Sequence, residues 1–135
     1  MIKKPFTPKR QDIAWRRSIP PTTKVMLAAR TAGRCEFRDC PRFLFRHPVT
    51  GLAGTFAELA HIIAFSKDGP RGRTARRPSN INDISNLMLL CPSCHKLVDD
   101  REDIFPIRVL REYKRLHEKR VWTLTNLKGT NVTAV

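Results

Sequence analysis

Two cysteine pairs and one histidine–aspartate pair are the residues of this chain best equipped for chemistry. Cys91 and Cys94 stand in Cys-x-x-Cys spacing inside the stretch NLMLLCPSCHKLVD, from Asn86 to Asp99; this is the spacing of a zinc knuckle. Cys35 and Cys40, in CEFRDC, form a looser pair that fits the other half of such a site. The halves lie roughly fifty residues apart, and a structural zinc ion between them would pin distant segments together. The alternative is four buried free thiols. After Cys94 the chain is expected to enter a helix, where His95 and Asp99 stand at i and i+4 on one face. An imidazole and a carboxylate so placed can bind one divalent metal ion.

The elements that must position these groups can be read from pattern. Leu87 to Leu90 is a short apolar run, too short for a surface helix, and reads as a buried strand. Pro92 suits the turn that follows. The segment from Thr55 to Phe65 reads as a second strand running into a turn, with Glu58 and Ala60 on one face and Leu59 and His61 on the other. Lys24 to Arg34 reads as a helix, capped by Thr22 or Thr23 and closed near Gly33. Its apolar stripe is Val25, Met26 and Ala29. Pro106 opens another helix, with Ile107, Leu110, Tyr113, Leu116 or His117, and Val121 facing inward, and Arg108, Arg111, Lys114, Arg115, Lys119 and Arg120 elsewhere. Phe43, Leu44 and Phe45 form a satellite cluster. Residues 66–80 are rich in Gly, Pro and Arg, and no packed structure is expected there; a basic loop of this kind, with Lys67, Arg71 and Arg73, suits phosphate contacts, the alternative being a solvated excursion.

At 135 residues the chain makes one domain with a modest core. We divide it into a basic, Pro-rich arm (1–21), a domain (22–125) and a polar tail (126–135). The formal charge of +14 calls for a polyanionic partner, above all nucleic acid. No signal peptide is visible and no stretch approaches the roughly 20 apolar residues of a membrane span. A cytoplasmic protein without a membrane partner is expected, and four cysteines then read as metal ligands before disulfides.

CEFRDC, ELAHIIAFSKDGPRG and NLMLLCPSCHKLVD, in that order, resemble the HNH endonucleases with paired cysteines. The AHI and GPRG wording is most similar to HNH domains fused to SAVED sensors in anti-phage defence effectors. The resemblance implies a small α+β fold, with a ββα-metal core, flanking helices and a four-cysteine zinc knuckle. It also implies hydrolysis of double-stranded DNA with low sequence preference. In this family's terms His61 is the general base and Asn86 holds its ring or the loop carrying it. His95 and Asp99 hold one catalytic Mg2+, Mn2+ or Ni2+ ion. Many members carry a further ligand just before the base; here that residue is Ala60, and Glu58 is the candidate substitute. The missing ligand leaves an alternative open, a zinc-stapled DNA-binding module without catalysis. A homodimer, or a regulatory sensor outside this chain, is compatible with the resemblance.

Overall fold

The computed structural model describes residues 18–40 and 42–127. Most of the expected arm and tail therefore lies outside the described residues. Helix α1 (Pro21–Thr31) is followed by strand β1 (Glu58–His61), a 3-10 turn (Ile84–Asn86), strand β2 (Leu87–Leu90), helix α2 (Pro92–Asp100) and helix α3 (Ile107–Thr125). The strands pair antiparallel, with Glu58 opposite Leu90 and His61 opposite Leu87. The result is a small α+β fold.

All four β2 side chains are buried, each worth about 1.5–3 kcal/mol against exposure. Such a strand needs cover on both faces. Helix α1 packs on β2, α2 packs on β1, and α3 packs on α1. The free edge of β2 is closed by one residue, Glu36. Its amide donates to the Leu89 carbonyl (2.8 Å), and its Oε1 accepts from the Leu89 amide (2.9 Å). Around Phe37 the core is aromatic: its ring lies 5.4 Å from Phe105 and 5.3 Å from Tyr113.

Several expectations are corrected. Helix α1 begins at Pro21, not Lys24, with Pro20 at the N-cap and no side-chain cap. Proline suits the first helical position because the amide it lacks would have no partner there. Thr22 and Thr23 therefore sit inside the first turn. Val25 (68% exposed), Met26 and Ala29 face solvent, whereas Leu27 and Thr31 are buried. Thr31 tolerates burial because its hydroxyl donates to the Leu27 carbonyl at 2.9 Å. The helix closes on Ala32 and Gly33, both with positive φ. A Cβ on Gly33 would meet the rings of Phe43 and Phe45. In α3, His117 turns inward to the Thr31 carbonyl (2.9 Å) while Leu116 is exposed. Lys114, expected on the solvent face, is buried against Glu118 (2.6 Å). Leu44 belongs to the main core rather than a satellite. The strand expected over 55–65 contracts to four residues.

Candidate active site

Residues 62–86 connect the strands without regular structure beyond the 3-10 turn, so their backbone polar groups need other partners. Asn86 supplies several. Its Oδ1 accepts from the Ile63 amide (2.9 Å), and its Nδ2 donates to the carbonyls of Ile63 (3.0 Å) and Ile81 (2.9 Å). Its own carbonyl accepts from Ile62 (2.8 Å). Asn86 thus fixes the loop that leaves His61 and does not reach the ring.

Arg71 supplies the rest. Its backbone has φ 57, a region costly for a residue with a side chain. Its guanidinium is buried, with Nε on the Ile62 carbonyl (2.7 Å) and Nη1 on the carbonyls of Val98 (2.7 Å) and Phe105 (3.3 Å). Nη2 donates to Asp99 Oδ1 at 2.7 Å. This corrects the expectation of an unpacked loop with Arg71 free for phosphate: four of its five N–H groups are spent inside the protein. The GPRG wording has a steric reason as well. A Cβ on Gly69 would strike the Ala64 side chain, and one on Gly72 would strike the carbonyls of Ser66, Lys67 and Gly69. Arg77 closes the same loop through the Gly72 and Phe65 carbonyls, both at 2.9 Å. Lys67 and Arg73 remain exposed, Arg73 paired with Asp68 at 3.1 Å.

So held, β1 and α2 bring His61, His95 and Asp99 to one cleft of about 140 Å3, walled by Leu59, Ala64, Phe65 and Pro70. His95 Nε2 lies 3.1 Å from Asp99 Oδ2. Its Nδ1 lies 3.3 Å from Glu58 Oε1, so Glu58 reaches the site although its strand neighbour Ala60 is buried. The hydrogen bond and charge of Asp99, with Glu58 adding to them, raise the His95 pKa against the opposing effect of burial. Burial would raise Asp99 too, but hydrogen bonds from His95 and Arg71 outweigh it and hold its carboxyl below the ordinary value. The His95 nitrogen and Asp99 oxygen form a donor pair that suits first-row divalent ions. Glu58 and Asp99 engage opposite nitrogens of one imidazole, so a single ion cannot use all three in this arrangement.

The cysteines form a separate centre. Among the described residues, the sulfurs of Cys35, Cys40, Cys91 and Cys94 are the one group of three or more possible ligands gathered within 4.8 Å of one another. This fits a tetrahedral four-sulfur site. Cys91 also caps α2, accepting from the Cys94 amide at 3.4 Å, and Cys35 Sγ accepts from the Cys91 amide at 3.3 Å. Burial pushes the Cys35 thiol up to about 12 and raises Cys94 as well. At Cys91 burial is outweighed by hydrogen bonds from Ser93 and Cys94, and its pKa falls to about 7.

Residues 45–103 match the family model of the HNH endonucleases. The match spans Glu58, His61, Asn86, Cys91, Cys94, His95 and Asp99, and leaves Cys35 and Cys40 outside. It supports an HNH nuclease. No curated protein matches the chain, and no described helix is long and apolar enough to cross a membrane. One residue at the site was not singled out by sequence pattern: Asn82, whose Oδ1 lies 2.7 Å from His61 Nε2. The run Asn80-Ile-Asn82-Asp carried a signal only as a turn.

Proposed function

We propose that this chain is a metal-dependent endonuclease that hydrolyses DNA phosphodiester bonds with low sequence preference. The observation that carries the reading is the meeting of His61 with His95 and Asp99 in one cleft, inside the segment similar to the HNH endonucleases. His61 takes the proton of the attacking water; an imidazole suits this because its ordinary pKa lies near neutral pH. Asn86 keeps the His61 loop in place, and Arg71 keeps Asp99 ionised and turned toward His95. His95 and Asp99 would hold the divalent ion, with Glu58 on the other ring nitrogen of His95; when bound, the ion supplies positive charge for the phosphate and the departing 3′ oxygen. The four cysteines hold a structural zinc. Lys67 and Arg73 contact phosphates without reading sequence. A place in phage defence, with a partner sensor, rests on the wording of ELAHIIAFSKDGPRG alone.

The test is nicking of supercoiled plasmid with Mg2+, Mn2+ or Ni2+. Wild type is expected to nick, and His61→Ala to lose about 100-fold or more of the rate. Failure of wild type with every metal, or equal nicking by His61→Ala, defeats the catalytic assignment. The buried, non-coordinating Ala60 favours a second reading, a zinc-stapled module that binds DNA without cutting it. That reading requires salt-dependent DNA binding, no cleavage, and the same DNA affinity in His95→Ala.

A further inference from the structure

We propose that Asn82 is a positioning residue for His61, fixing the tautomer in which Nδ1 is the nitrogen free to accept a proton. The inference rests on the reading of His61 as general base, and deepens it. The Asn82 side chain reaches across a 21-residue separation to place Oδ1 2.7 Å from His61 Nε2. Its amide orientation is supported from the other side, where Nδ2 donates to the Ser18 carbonyl at 3.4 Å. An amide oxygen only accepts hydrogen bonds. His61 Nε2 must therefore carry the hydrogen, and the lone pair of the neutral ring falls on Nδ1.

The pair is held by a frame rather than by chance contact. The single amide of Asn86 bonds Ile63, two residues after His61, and Ile81, one residue before Asn82. The two segments that carry the interacting side chains are thus tied to one another. The Asn82 amide donates to Asn80 Oδ1 at 3.1 Å, which sets the turn from which the side chain departs. The ring of Phe65 packs edge-on to His61, centroids 6.4 Å apart. Outer partners of this kind typically change activity 10–100-fold when removed, through the orientation and tautomer of the histidine they hold.

Two readouts test this on the full chain. In 15N-histidine-labelled wild type with Mg2+, assigned by comparison with His61→Ala, the two-bond correlation pattern of neutral His61 is expected to show protonated Nε2 and bare Nδ1. In plasmid cleavage, Asn82→Ala is expected to lower kcat about 10–100-fold with KM little changed, and its His61 signal to report mixed tautomers. Asn82→Asp, which keeps an acceptor, is expected to retain the Nε2–H pattern and recover most of kcat. A wild-type ring protonated on Nδ1 overturns the proposal, as does an Asn82→Ala protein with wild-type kcat. The wild-type spectrum needs no variant to fold. It also separates this proposal from the reading beneath it: full activity in His61→Ala removes the general base whatever the tautomer.

Discussion

Replacing Arg71 by alanine should damage the fold far more than any change to the arginines around it. The guanidinium makes four hydrogen bonds, three to backbone carbonyls and one to Asp99, with its side chain only 3% exposed. Truncation strands those carbonyls and leaves the Asp99 carboxylate without its cation. Asp99 is half-buried and keeps His95, so most of the cost comes from the stranded carbonyls, at about 1–3 kcal/mol for each buried group left unpaired, and a total of about 3–5 kcal/mol is expected. Relief of the left-handed backbone does not offset this, because alanine is strained there as well. For a domain of this size about 1 kcal/mol corresponds to about 4 °C, so Tm should fall by about 12–20 °C. Arg71→Lys should recover only part, since a single ammonium cannot span the fork. The assay is thermal unfolding by circular dichroism, with Arg73→Ala as the control. Arg73 is exposed, with one exposed acid for a partner, and should shift stability by less than about 0.5 kcal/mol. An Arg71→Ala protein that melts within about 3 °C of wild type would refute the reasoning, and would return Arg71 to the phosphate-binding role its loop first implied.

Three further outcomes are expected. Metal analysis should find one zinc per chain; its removal by a strong chelator, or Cys35→Ser, should lower Tm by more than about 10 °C, because zinc-site binding energy is folding energy. Lys67→Ala and Arg73→Ala should each reduce the slope of log K against log salt for DNA binding by about 1 while leaving Tm unchanged. Burial raises the Glu36 pKa from an ordinary 4.5 to about 9, so the folded state keeps a proton that the unfolded state releases. The stability this protonation provides is complete below pH 4.5 and is lost as pH climbs toward 9, by up to about 1.4 kcal/mol per pH unit. Glu36→Gln keeps an acceptor for the Leu89 amide and should flatten that slope in urea titrations at pH 5, 7 and 9; an unchanged slope would place its origin elsewhere.

What could be read from sequence was whatever depends on local pattern. Leu87–Leu90 could be read as a strand because four apolar residues end at a cysteine turn. The inner stripe of α3 could be read because Ile107, Leu110 and Tyr113 keep helical spacing over a long segment. Helix α1 misled because apolarity does not state direction. Val25 and Met26 are more apolar than Thr31, yet Thr31 is the residue turned inward, its hydroxyl satisfied within its own helix. Arg71 and Asn82 were illegible for another reason. Each makes its decisive contact across a chain separation that no window reveals: Arg71 with Asp99, 28 residues away, and Asn82 with His61, 21 away. A polar residue in a glycine-rich stretch reads as solvated until its partner is known. The flanking Gly69 and Gly72 were the available hint, since close backbone approach needs a reason.

The site's precision therefore has an unusual source. Strand β1 has four residues, the last of them His61, which faces Leu87 in the ladder, and the loop after it has almost no regular structure of its own. Three polar side chains brace what surrounds this short ladder: Asn86 on the backbone of 62–63 and 81, Arg71 on the carbonyls of 62, 98 and 105, and Glu36 on the edge of β2. Each replaces backbone partners that secondary structure would otherwise supply. Such side chains are hard to exchange, because any shorter or differently charged residue leaves a buried group unpaired. The exposed basic residues among those described act additively and at long range, and can be traded for one another. The residues that look most like the mark of a nucleic-acid binder should thus tolerate change best, while a few loop residues of ordinary appearance set both the fold and the geometry of the cleft.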